Sequence, residues 1–482
     1  MSTCGAEIEK PISDIRTGLP RGVSQKFFGT LLQTIPGSQP CFSDIKPRTV
    51  IAVDGLGGHY GLDNGFNLQE TSTCVSPDLH GLEKILKTDL QIVQEALAEE
   101  GLTAINMSIH PLGKTDRKSY SRFVAPKGVY RYISQRGWDH AAGIDARAQN
   151  SPCTGVEAYD AAKALTTVIG ASAAIIGIFA NSPFEGGGVS AYKETRLRMW
   201  ERFMKNSIAE GDRATAKFPE KPFSSLRDYF YWMFGPGTSI HFVMASGSNY
   251  KTFGDGAILI DGNPPVLDYL ASARAQGRYL VSGKMVTVEP TLGHMQALQF
   301  AQFTSARIRW TFDRGLEKAR FLQSLKENTL ERLFSEGGAN NVYIEGRDPG
   351  ANFPDKFLGS IDPNLAWSTL VAPSAIQYGL IRNLAKASDY VRTFDWKQLK
   401  VLRDSAIKDG LDGRAGDLGV GQFAQRVLGL AAEGLPAHYH RFLAYPEYVL
   451  RTGKNGADRS LDAVSGGKSL ADIVKSRNVV IP

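Results

Sequence analysis

Pairs of charged or polar residues, spaced two positions apart, recur on strand-like segments, and they constrain the fold more than any other feature. Side chains two apart on a β-strand point to the same face of a sheet. The pairs are Glu7 with Glu9, Arg147 with Gln149, Arg307 with Arg309, and Glu345 with Arg347. Glu70 stands alone on a similar alternation. We therefore predict a sheet with one apolar face under helices and one face that carries these polar groups.

The order of the predicted elements favours an α+β fold. Strands are predicted over about residues 3–11, 49–54, 66–74, 104–108, 144–150, 238–244, 306–311 and 342–345. A helix with Ser76 as its N-cap and Pro77 as its first residue should end before Gly101, and a second should cover about 155–179. Because strands and helices do not alternate strictly, the sheet should be largely antiparallel and backed by helices.

Length and composition are those of an ordinary folded chain. Of 482 residues, 42% are hydrophobic and 22% are charged, which excludes wholesale disorder, collagen and a coiled-coil rod. The sequence has neither an internal repeat nor a low-complexity linker. We predict a single domain over 1–482, with a helical segment inserted at about 315–340 and a mainly helical part from about 373.

The net charge, the cysteines and the apolar stretches indicate which partners and which cellular compartment to expect. The net charge is only +6 and no basic run dominates, so no nucleic-acid partner is predicted. The cysteines, Cys4, Cys41, Cys74 and Cys153, include no C-x-x-C pair and are expected to be reduced thiols. The longest apolar stretch, 164–180, is shorter than the ~20 residues that span a bilayer. We therefore predict a cytoplasmic protein in which this stretch is a buried helix, with no membrane partner.

The predicted polar face combines carboxylates and guanidinium groups, the residue types that phosphoryl transfer uses. Four carboxylates on one face are costly to bury unless ligands neutralise them. Magnesium prefers such oxygen ligands, and guanidinium groups bind phosphate and carboxylate oxygens with two hydrogen bonds. Each pair alone could equally be the solvated face of an antiparallel strand, and the sequence does not prove that the polar sides coincide.

Six motifs, in order, resemble the glutamate–cysteine ligase superfamily, especially its plant-like and bacterial carboxylate–amine ligase branch, the GCS2 type. They are Gly5-Ala6-Glu7-Ile8-Glu9, Asn67-Leu68-Gln69-Glu70-Thr71-Ser72-Thr73, Pro126-Lys127-Gly128 with Tyr130-Arg131-Tyr132, Phe179-Ala180-Asn181-Ser182-Pro183-Phe184 with Arg196 and Trp200, Tyr343-Ile344-Glu345-Gly346-Arg347, and Pro373-Ser374-Ala375-Ile376-Gln377. The resemblance implies a glutamine synthetase-like catalytic fold, in which a curved antiparallel sheet forms a half-barrel-like cup.

The resemblance also implies a reaction. ATP would phosphorylate the γ-carboxylate of glutamate, and an amine would attack the acyl phosphate and release phosphate. Cysteine is the acceptor in the name-giving case, which would place the enzyme in glutathione-type thiol biosynthesis. The implied partners are small molecules, namely glutamate, an amine and ATP with Mg²⁺, and a homodimer remains possible.

Residue roles follow from the matched motifs. The implied magnesium ligands are Glu7, Glu9, Glu70 and Glu345. Glu345 and Arg347 would act in catalysis, with Arg347 on the transferring phosphoryl group. The resemblance implies that Arg347 contacts the nucleotide, and the predicted polar face adds Arg307 and Arg309 as nucleotide-binding candidates. The implied substrate-binding residues are Arg196 on the α-carboxylate of glutamate, Trp200 beside it and Gln149. Arg147, on the same predicted face, is a further substrate-binding candidate that the family pattern does not supply.

Two departures from the family pattern leave the acceptor open. The segment Asp145-Ala146-Arg147-Ala148-Gln149-Asn150 differs from the family's central strand, and Arg147 adds a guanidinium that could contact an anionic acceptor or the nucleotide. A long insertion after Arg309, containing Glu317 to Arg332, is predicted as an amphipathic helix that could cover the acceptor pocket. A ligase for another amine, and a non-catalytic nucleotide-binding relative, therefore remain alternatives.

Overall fold

The strands that carry the acidic residues and the Arg307–Arg309 pair belong to one antiparallel sheet. The computed structural model describes residues 3–139, 147–245, 256–299, 303 and 305–482. Within these ranges the strands are β1 (Cys4–Asp14), β2 (Gln39–Phe42), β3 (Val50–Gly55), β4 (Gly58–Leu62), β5 (Leu68–Thr73), β6 (Leu102–Ala104), β7 (Asn150–Gly155), β8 (Phe184–Glu185), β9 (Gly188–Val189), β10 (Val243–Met244), β11 (Ala257–Ile260), β12 (Ala275–Tyr279), β13 (Met285–Val288), β14 (Ala306–Phe312), β15 (Ala339–Gly346), β16 (Arg414–Ala415) and β17 (Leu418–Gly419).

The large sheet has nine strands among the described residues, in the order β14-β15-β7-β1-β5-β4-β3-β2, and β6 pairs with the end of β1. All of its pairings are antiparallel. The predicted α+β class, with a largely antiparallel sheet backed by helices, is confirmed.

The strand register places the acidic side chains on one face. Residues opposite each other in an antiparallel pair share a face. Glu9 pairs with Glu70, and Glu7 pairs with Ser72 on one side and Ser151 on the other. Two residues beyond Ser151, Cys153 pairs with Glu345. Glu7, Glu9, Glu70 and Glu345 therefore point to the same side of the sheet.

Helices cover the opposite face and surround the sheet. They are α1 (Gln25–Thr34), α2 (Leu79–Ala98), α3 (Arg117–Phe123), α4 (Gly128–Gln135), α5 (Ala158–Gly170), α6 (Ser172–Phe179), α7 (Met199–Met204), α8 (Leu226–Phe234), α9 (Val266–Ala271), α10 (Leu292–Ala297), α11 (Lys318–Glu327), α12 (Leu330–Leu333), α13 (Lys356–Ile361), α14 (Pro363–Arg382), α15 (Leu384–Arg392), α16 (Trp396–Asp409), α17 (Val420–Gly434), α18 (Ala444–Thr452), α19 (Gly456–Ser465) and α20 (Leu470–Ser476). Helices α2 and α14 pack on β1, where Ala6 and Ile8 are buried in the core.

One buried ion pair lies on this helix-covered face. Lys10 is fully buried, and its Nζ is 2.9 Å from Asp89 Oδ2 of α2. The same ammonium donates to Gln69 Oε1 at 2.9 Å, and Thr71 Oγ1 donates to Asp89 Oδ1 at 2.7 Å. The pair therefore joins β1, β5 and α2 through a network in which each charge has polar partners.

Several helices and strands begin or end at residues other than those predicted. The helix after β5 begins at Leu79 with Asp78 as its N-cap, because Ser76 instead pairs in extended conformation with Cys4. The helix predicted over 155–179 is two helices, α5 and α6, that meet at an angle of 49°. The predicted strand 104–108 forms only over Leu102–Ala104, and the predicted strand 238–244 only over Val243–Met244.

The strand predicted over 144–150 is displaced toward the C-terminus. Residues 144–146 lie outside the described residues, and Arg147 and Gln149 form isolated bridges with Ile109 and Gly350. The regular strand is β7, which begins at Asn150 and contains Pro152. The Arg147–Gln149 pair therefore precedes the strand and does not lie within it.

The chain has two further regions besides the large sheet and its covering helices. A second, four-stranded antiparallel sheet, β10 to β13, occupies a segment for which only one strand was predicted. Helices α11 and α12 occupy the segment between β14 and β15 for which an amphipathic helix was expected. Among the described residues, no single helix has the length and apolar composition to cross a bilayer, although the bent pair α5 and α6 passes that test jointly.

Candidate active site

A cavity of about 190 Å³ opens on the acidic face of the large sheet. Its walls are formed by Glu7, Glu9, His59, Leu62, Asp63, Asn64, Glu70, Lys127, Val129, Tyr130, Ile133, Trp138, Arg147, Trp200, Phe203, Phe303, Arg307 and Arg347. The cavity thus has a carboxylate wall, a group of guanidiniums and an aromatic wall. This combination suits a ligand that has both anionic and apolar parts.

Three carboxylates converge within the cavity. One oxygen each of Glu9, Asp63 and Glu70 lies within 4.8 Å of the other two. β1 and β5 supply Glu9 and Glu70 as direct register partners, and Asp63 follows the end of β4. Glu7 joins the group through Ser72, whose Oγ donates to Glu7 Oε1 at 3.2 Å and to Glu70 Oε1 at 3.4 Å. A cluster of hard oxygen ligands that is partly open to solvent fits Mg²⁺.

The sequence did not reveal Asp63 as a site residue. The residue stands alone after a strand and has no partner at the two-residue spacing that marks the acidic pairs. Its only local signal is its position at a strand end, beside Asn64. The approach of β4 to β5 brings it to Glu70.

Glu9 is the most deeply buried carboxylate of the cluster. It is 3% exposed and accepts hydrogen bonds from the backbone N–H and the side-chain amide of Gln149, at 3.0 and 3.4 Å. Burial and the neighbouring charges of Asp63, Glu70 and Glu7 raise the pKa of Glu9 well above its usual range, against the opposing effect of Arg147. A cation bound to the cluster would favour the charged form of Glu9.

This raised pKa predicts a stability that depends on pH and on divalent cations. Folding binds a proton to Glu9, so this contribution is complete below the usual carboxyl pKa and is lost as the pH rises through the raised value. Without divalent cations, the free energy of unfolding should therefore fall over that interval. Added Mg²⁺ should restore it most at the higher pH. Urea unfolding with and without Mg²⁺ measures both slopes, and an Mg²⁺ effect that does not vary with pH would contradict the assignment.

Glu345 is held in a group of arginines. Arg307 donates to it through Nε at 3.0 Å and Nη2 at 2.7 Å, and Arg347 Nη1 donates at 2.7 Å. Arg309 Nε lies 3.8 Å from its Oε2. Burial would raise the pKa of Glu345, but these guanidiniums outweigh it and lower the pKa to about 2. In this arrangement Glu345 orients Arg307 and Arg347, which line the cavity.

Arg147 is a buried cation on the cavity wall. Its guanidinium lies over the Trp200 ring, 4.1 Å from the ring centroid. The side chain is only 4% exposed, and its Nε and Nη1 have no hydrogen-bond acceptor among the described residues. Burial lowers the pKa of Arg147 to about 10. An unsatisfied buried guanidinium beside a cavity is suited to an anionic ligand.

Arg196 lies outside the cavity wall and is fully buried. Its Nε donates to Glu194 Oε1 at 2.7 Å, and its Nη2 donates to the carbonyl of Asp348 at 2.6 Å. Its Nη1 donates to Gln149 Oε1 at 3.2 Å and to the Arg347 carbonyl at 3.1 Å. Arg196 therefore supports Gln149, which in turn contacts Glu9.

Aromatic rings form part of the cavity wall. Trp200 and Phe303 stack with ring centroids 4.2 Å apart, and Phe203 packs edge-on against both Trp200 and Trp138. Trp138 Nε1 donates to Asp212 Oδ2 at 2.7 Å, which fixes the orientation of that ring. Trp200, which is predicted to lie beside the substrate, is one of the residues that line the cavity.

The structure thus brings most of the predicted site residues to one cavity, and the remaining predicted site residues do not line it. The cavity is lined by Glu7, Glu9, Glu70, Arg147, Trp200, Arg307 and Arg347. Glu345 and Gln149 contact lining residues, Arg309 lies next to Glu345, and Arg196 supports Gln149. The lining residues that sequence reasoning did not assign to the site include Asp63, His59 and the aromatic residues other than Trp200.

Comparisons with known proteins agree with the sequence motifs. The family model described as glutamate-cysteine ligase family 2 (GCS2) matches residues 3–233. A comparison with curated protein sequences found no match.

Two solved structures are similar at 11% sequence identity each. A glutamate–cysteine ligase from Francisella tularensis in complex with AMP has a TM-score of 0.47, with 100% of this chain and 90% of that chain covered. A bifunctional glutathione synthetase from Pasteurella multocida has a TM-score of 0.46, with 99% of this chain and 51% of that chain covered.

The region matched by the family model contains the strands of Glu7, Glu9 and Glu70, the turn of Asp63, and the segment of Arg147 and Trp200. The match supports a carboxylate–amine ligase. The resemblance is confirmed for the four motifs between Gly5 and Trp200, because this chain matches glutamate-cysteine ligase family 2 over residues 3–233.

Proposed function

We propose that the protein is an ATP- and Mg²⁺-dependent ligase that activates a carboxylate, most simply the γ-carboxylate of glutamate, and joins it to an amine. The observation that carries this proposal is the convergence of Glu9, Asp63 and Glu70 in one cavity with Arg307 and Arg347. Carboxylates that can hold Mg²⁺, facing guanidiniums that can bind phosphate, are what phosphoryl transfer requires.

The proposed reaction has two steps. A carboxylate oxygen of the substrate attacks the terminal phosphorus of ATP, and the bond to the bridging oxygen breaks as ADP leaves. The amine nitrogen then attacks the carbonyl carbon of the acyl phosphate, the carbon–oxygen bond to phosphate breaks, and the nitrogen loses its proton to solvent. The products are an amide, ADP and phosphate.

The carboxylate cluster and the arginines have separate roles in this proposal. Glu7, Glu9, Asp63 and Glu70 would hold Mg²⁺, which offsets the negative charge of the triphosphate. Arg307 and Arg347 would bind phosphate oxygens, with Arg309 next to them, and Arg347 would stabilise the transferring phosphoryl group. Glu345 would bind a metal ion only after Arg307 and Arg347 turn from it to phosphate oxygens, an exchange that we assign to ATP binding.

For the carboxyl group of the substrate, we propose Arg147 as the direct contact and Arg196 as a residue that positions Gln149. Arg147→Gln should raise the KM for the carboxylate substrate about tenfold or more and change the KM for ATP less, because a charge-assisted hydrogen bond is lost. Arg196→Gln should lower kcat and thermal stability instead, because buried carbonyl and carboxylate partners lose their donors. Steady-state kinetics with both substrates varied, together with thermal unfolding, separates the two. Equal KM effects on both substrates in Arg147→Gln would contradict the direct contact.

Two acceptor classes remain in this proposal. Cysteine is the acceptor in the family's name-giving reaction. An amine with a larger apolar body is the second candidate, favoured by the aromatic wall of Trp138, Trp200, Phe203 and Phe303. Because ATP and free amino acids are the proposed substrates, we place the activity in the cytoplasm, in a glutathione-type thiol pathway if cysteine is the acceptor.

The test is phosphate release with a panel of amines. Purified protein is incubated with ATP, Mg²⁺ and glutamate, and with cysteine, small amino acids and aromatic amines in turn. The proposal predicts phosphate release and an amide product with at least one amine, and neither without Mg²⁺. ATP binding without turnover for any amine and any carboxylate would instead support a non-catalytic nucleotide-binding protein.

A further inference from the structure

The polar face of the large sheet extends beyond the cavity to its β2 edge, where three potential metal ligands meet. These are Cys41 on β2, Asp54 on β3 and His59 on β4. They lie outside the Glu9–Asp63–Glu70 cluster, and the proposed ligase reaction uses none of them.

The strand register explains why the three side chains meet. Asp54 pairs directly with His59, and Gln39, which lies two residues before Cys41, pairs with Asp54. His59 in turn pairs with Ser72, which shares its face with Glu70. Cys41, Asp54 and His59 therefore point to the same side of the sheet as the acidic cluster.

A glycine leaves room for the imidazole of His59. Gly61 is two residues further along β4 and faces the same side. A Cβ atom at position 61 would stand 3.0 Å from His59 Nε2, which is closer than most side-chain contacts. The ring lies over this glycine, and His59 thereby also lines the cavity.

The donor atoms are already close together. His59 Nδ1 lies 2.6 Å from Asp54 Oδ1, and Cys41 Sγ donates to Asp54 Oδ2 at 3.0 Å. One donor atom from each residue lies within 4.8 Å of the other two. Asp54 thus holds the thiol on one oxygen and the imidazole on the other.

We propose that Cys41, Asp54 and His59 form a site for a divalent transition-metal ion of the Zn²⁺ type, with a fourth coordination position open to the cavity rim. A thiolate, an imidazole and a carboxylate are the ligand types that zinc takes, and three protein ligands leave one position for water or a substrate atom. Mg²⁺ prefers oxygen ligands alone, so the two clusters select different metals.

Binding of the ion is balanced in charge and protons. The ion takes the sulfur of Cys41 as a thiolate, so the thiol proton is released to solvent, and the imidazole binds in its neutral form. The site then holds a divalent ion with two anionic ligands and one neutral ligand.

Cobalt is the probe that tests the site, because a thiolate bound to Co²⁺ gives a charge-transfer band that oxygen ligands do not. Reduced full-length protein in excess Mg²⁺ is titrated with Co²⁺. We expect one equivalent to produce the thiolate band and Zn²⁺ to remove it. The excess Mg²⁺ keeps the Glu9–Asp63–Glu70 cluster from competing for Co²⁺, and the readout does not require ligase activity.

Cys41→Ser and His59→Gln are the test variants, and Cys74→Ser is the matched control, because Cys74 is an exposed cysteine outside the cluster. The band should be lost in Cys41→Ser, weakened in His59→Gln and unchanged in Cys74→Ser, with each fold confirmed by circular dichroism. No thiolate band at one equivalent of Co²⁺ in the unaltered protein would overturn the proposal. A band that persists in Cys41→Ser would overturn it as well.

Discussion

Glu9→Gln is expected to lower the rate of ATP-dependent phosphate release roughly a hundredfold or more, the scale seen when a preorganised electrostatic group is removed. The substitution keeps the shape of the side chain but removes the central charge of the carboxylate cluster. Steady-state kinetics with ATP, glutamate and the best acceptor measures the effect. The loss should not be rescued by more ATP, because the ligand to the metal is missing.

The same substitution should not destabilise the fold. Glu9 is buried beside like charges, so removing its charge relieves repulsion, whereas the amide keeps only one of the two oxygens that accept hydrogen bonds from Gln149. These effects oppose each other, and the free energy of unfolding at neutral pH should change little. Glu95→Gln is the matched control, since Glu95 is an exposed carboxylate on α2 that accepts a hydrogen bond from Gln91. Near-normal turnover in Glu9→Gln, or equal losses in both variants, would contradict the role of Glu9.

Asp89→Ala is expected to lower the free energy of unfolding by about 3–5 kcal/mol, because it leaves the fully buried ammonium of Lys10 without its counter-charge. The effect should be structural and should appear in urea unfolding. Lys10 lies on the helix-covered face of β1, one residue from Glu9, so a weakened β1 should also lower activity.

A double variant tests the cause of this loss. Replacing both partners, Lys10→Met with Asp89→Leu, should recover a large part of the stability, since no unpaired charge then remains. Glu95→Ala, on the exposed side of the same helix, should change stability by less than about 0.5 kcal/mol. A loss in Asp89→Ala no larger than that of the control would show that Lys10 does not depend on this pair.

The acidic face could be predicted from the sequence because its signal is local. Glu7 and Glu9 are two residues apart on one strand, so a single backbone conformation fixes that they share a face. The register then adds Glu70 and Glu345, and the family motifs had already placed these residues on strands. The strand Ala306–Phe312 also follows its predicted bounds closely, whereas its partner Ala339–Gly346 begins three residues before the predicted strand.

The remaining parts of the site depend on contacts between distant segments. Asp63 reaches the cluster because β4 turns back onto β5, and no spacing rule marks a single carboxylate in a turn. Ser76 has the residue type of an N-cap, but its pairing with Cys4 at the start of β1 leaves that position to Asp78. Local sequence could not predict either contact.

The positions of Arg196 and Arg147 also depend on contacts between distant segments. Arg196 was assigned to the substrate from its motif, whereas its hydrogen bonds go to Gln149, Glu194 and backbone carbonyls that other segments bring to it. Arg147 precedes its strand and reaches the cavity wall, where Trp200 from α7 covers its guanidinium. Which guanidinium faces a cavity is decided by tertiary packing.

Transfer of oxygen from substrate to phosphate tests the central claim most directly. Glutamate labelled with ¹⁸O in its γ-carboxylate is converted with ATP, Mg²⁺ and the best acceptor amine, and the released phosphate is examined by mass spectrometry. If the cavity directs the terminal phosphoryl group to the carboxylate, one labelled oxygen appears in phosphate for each amide formed. Amide formation with unlabelled phosphate, or with AMP and pyrophosphate as products, would contradict the account.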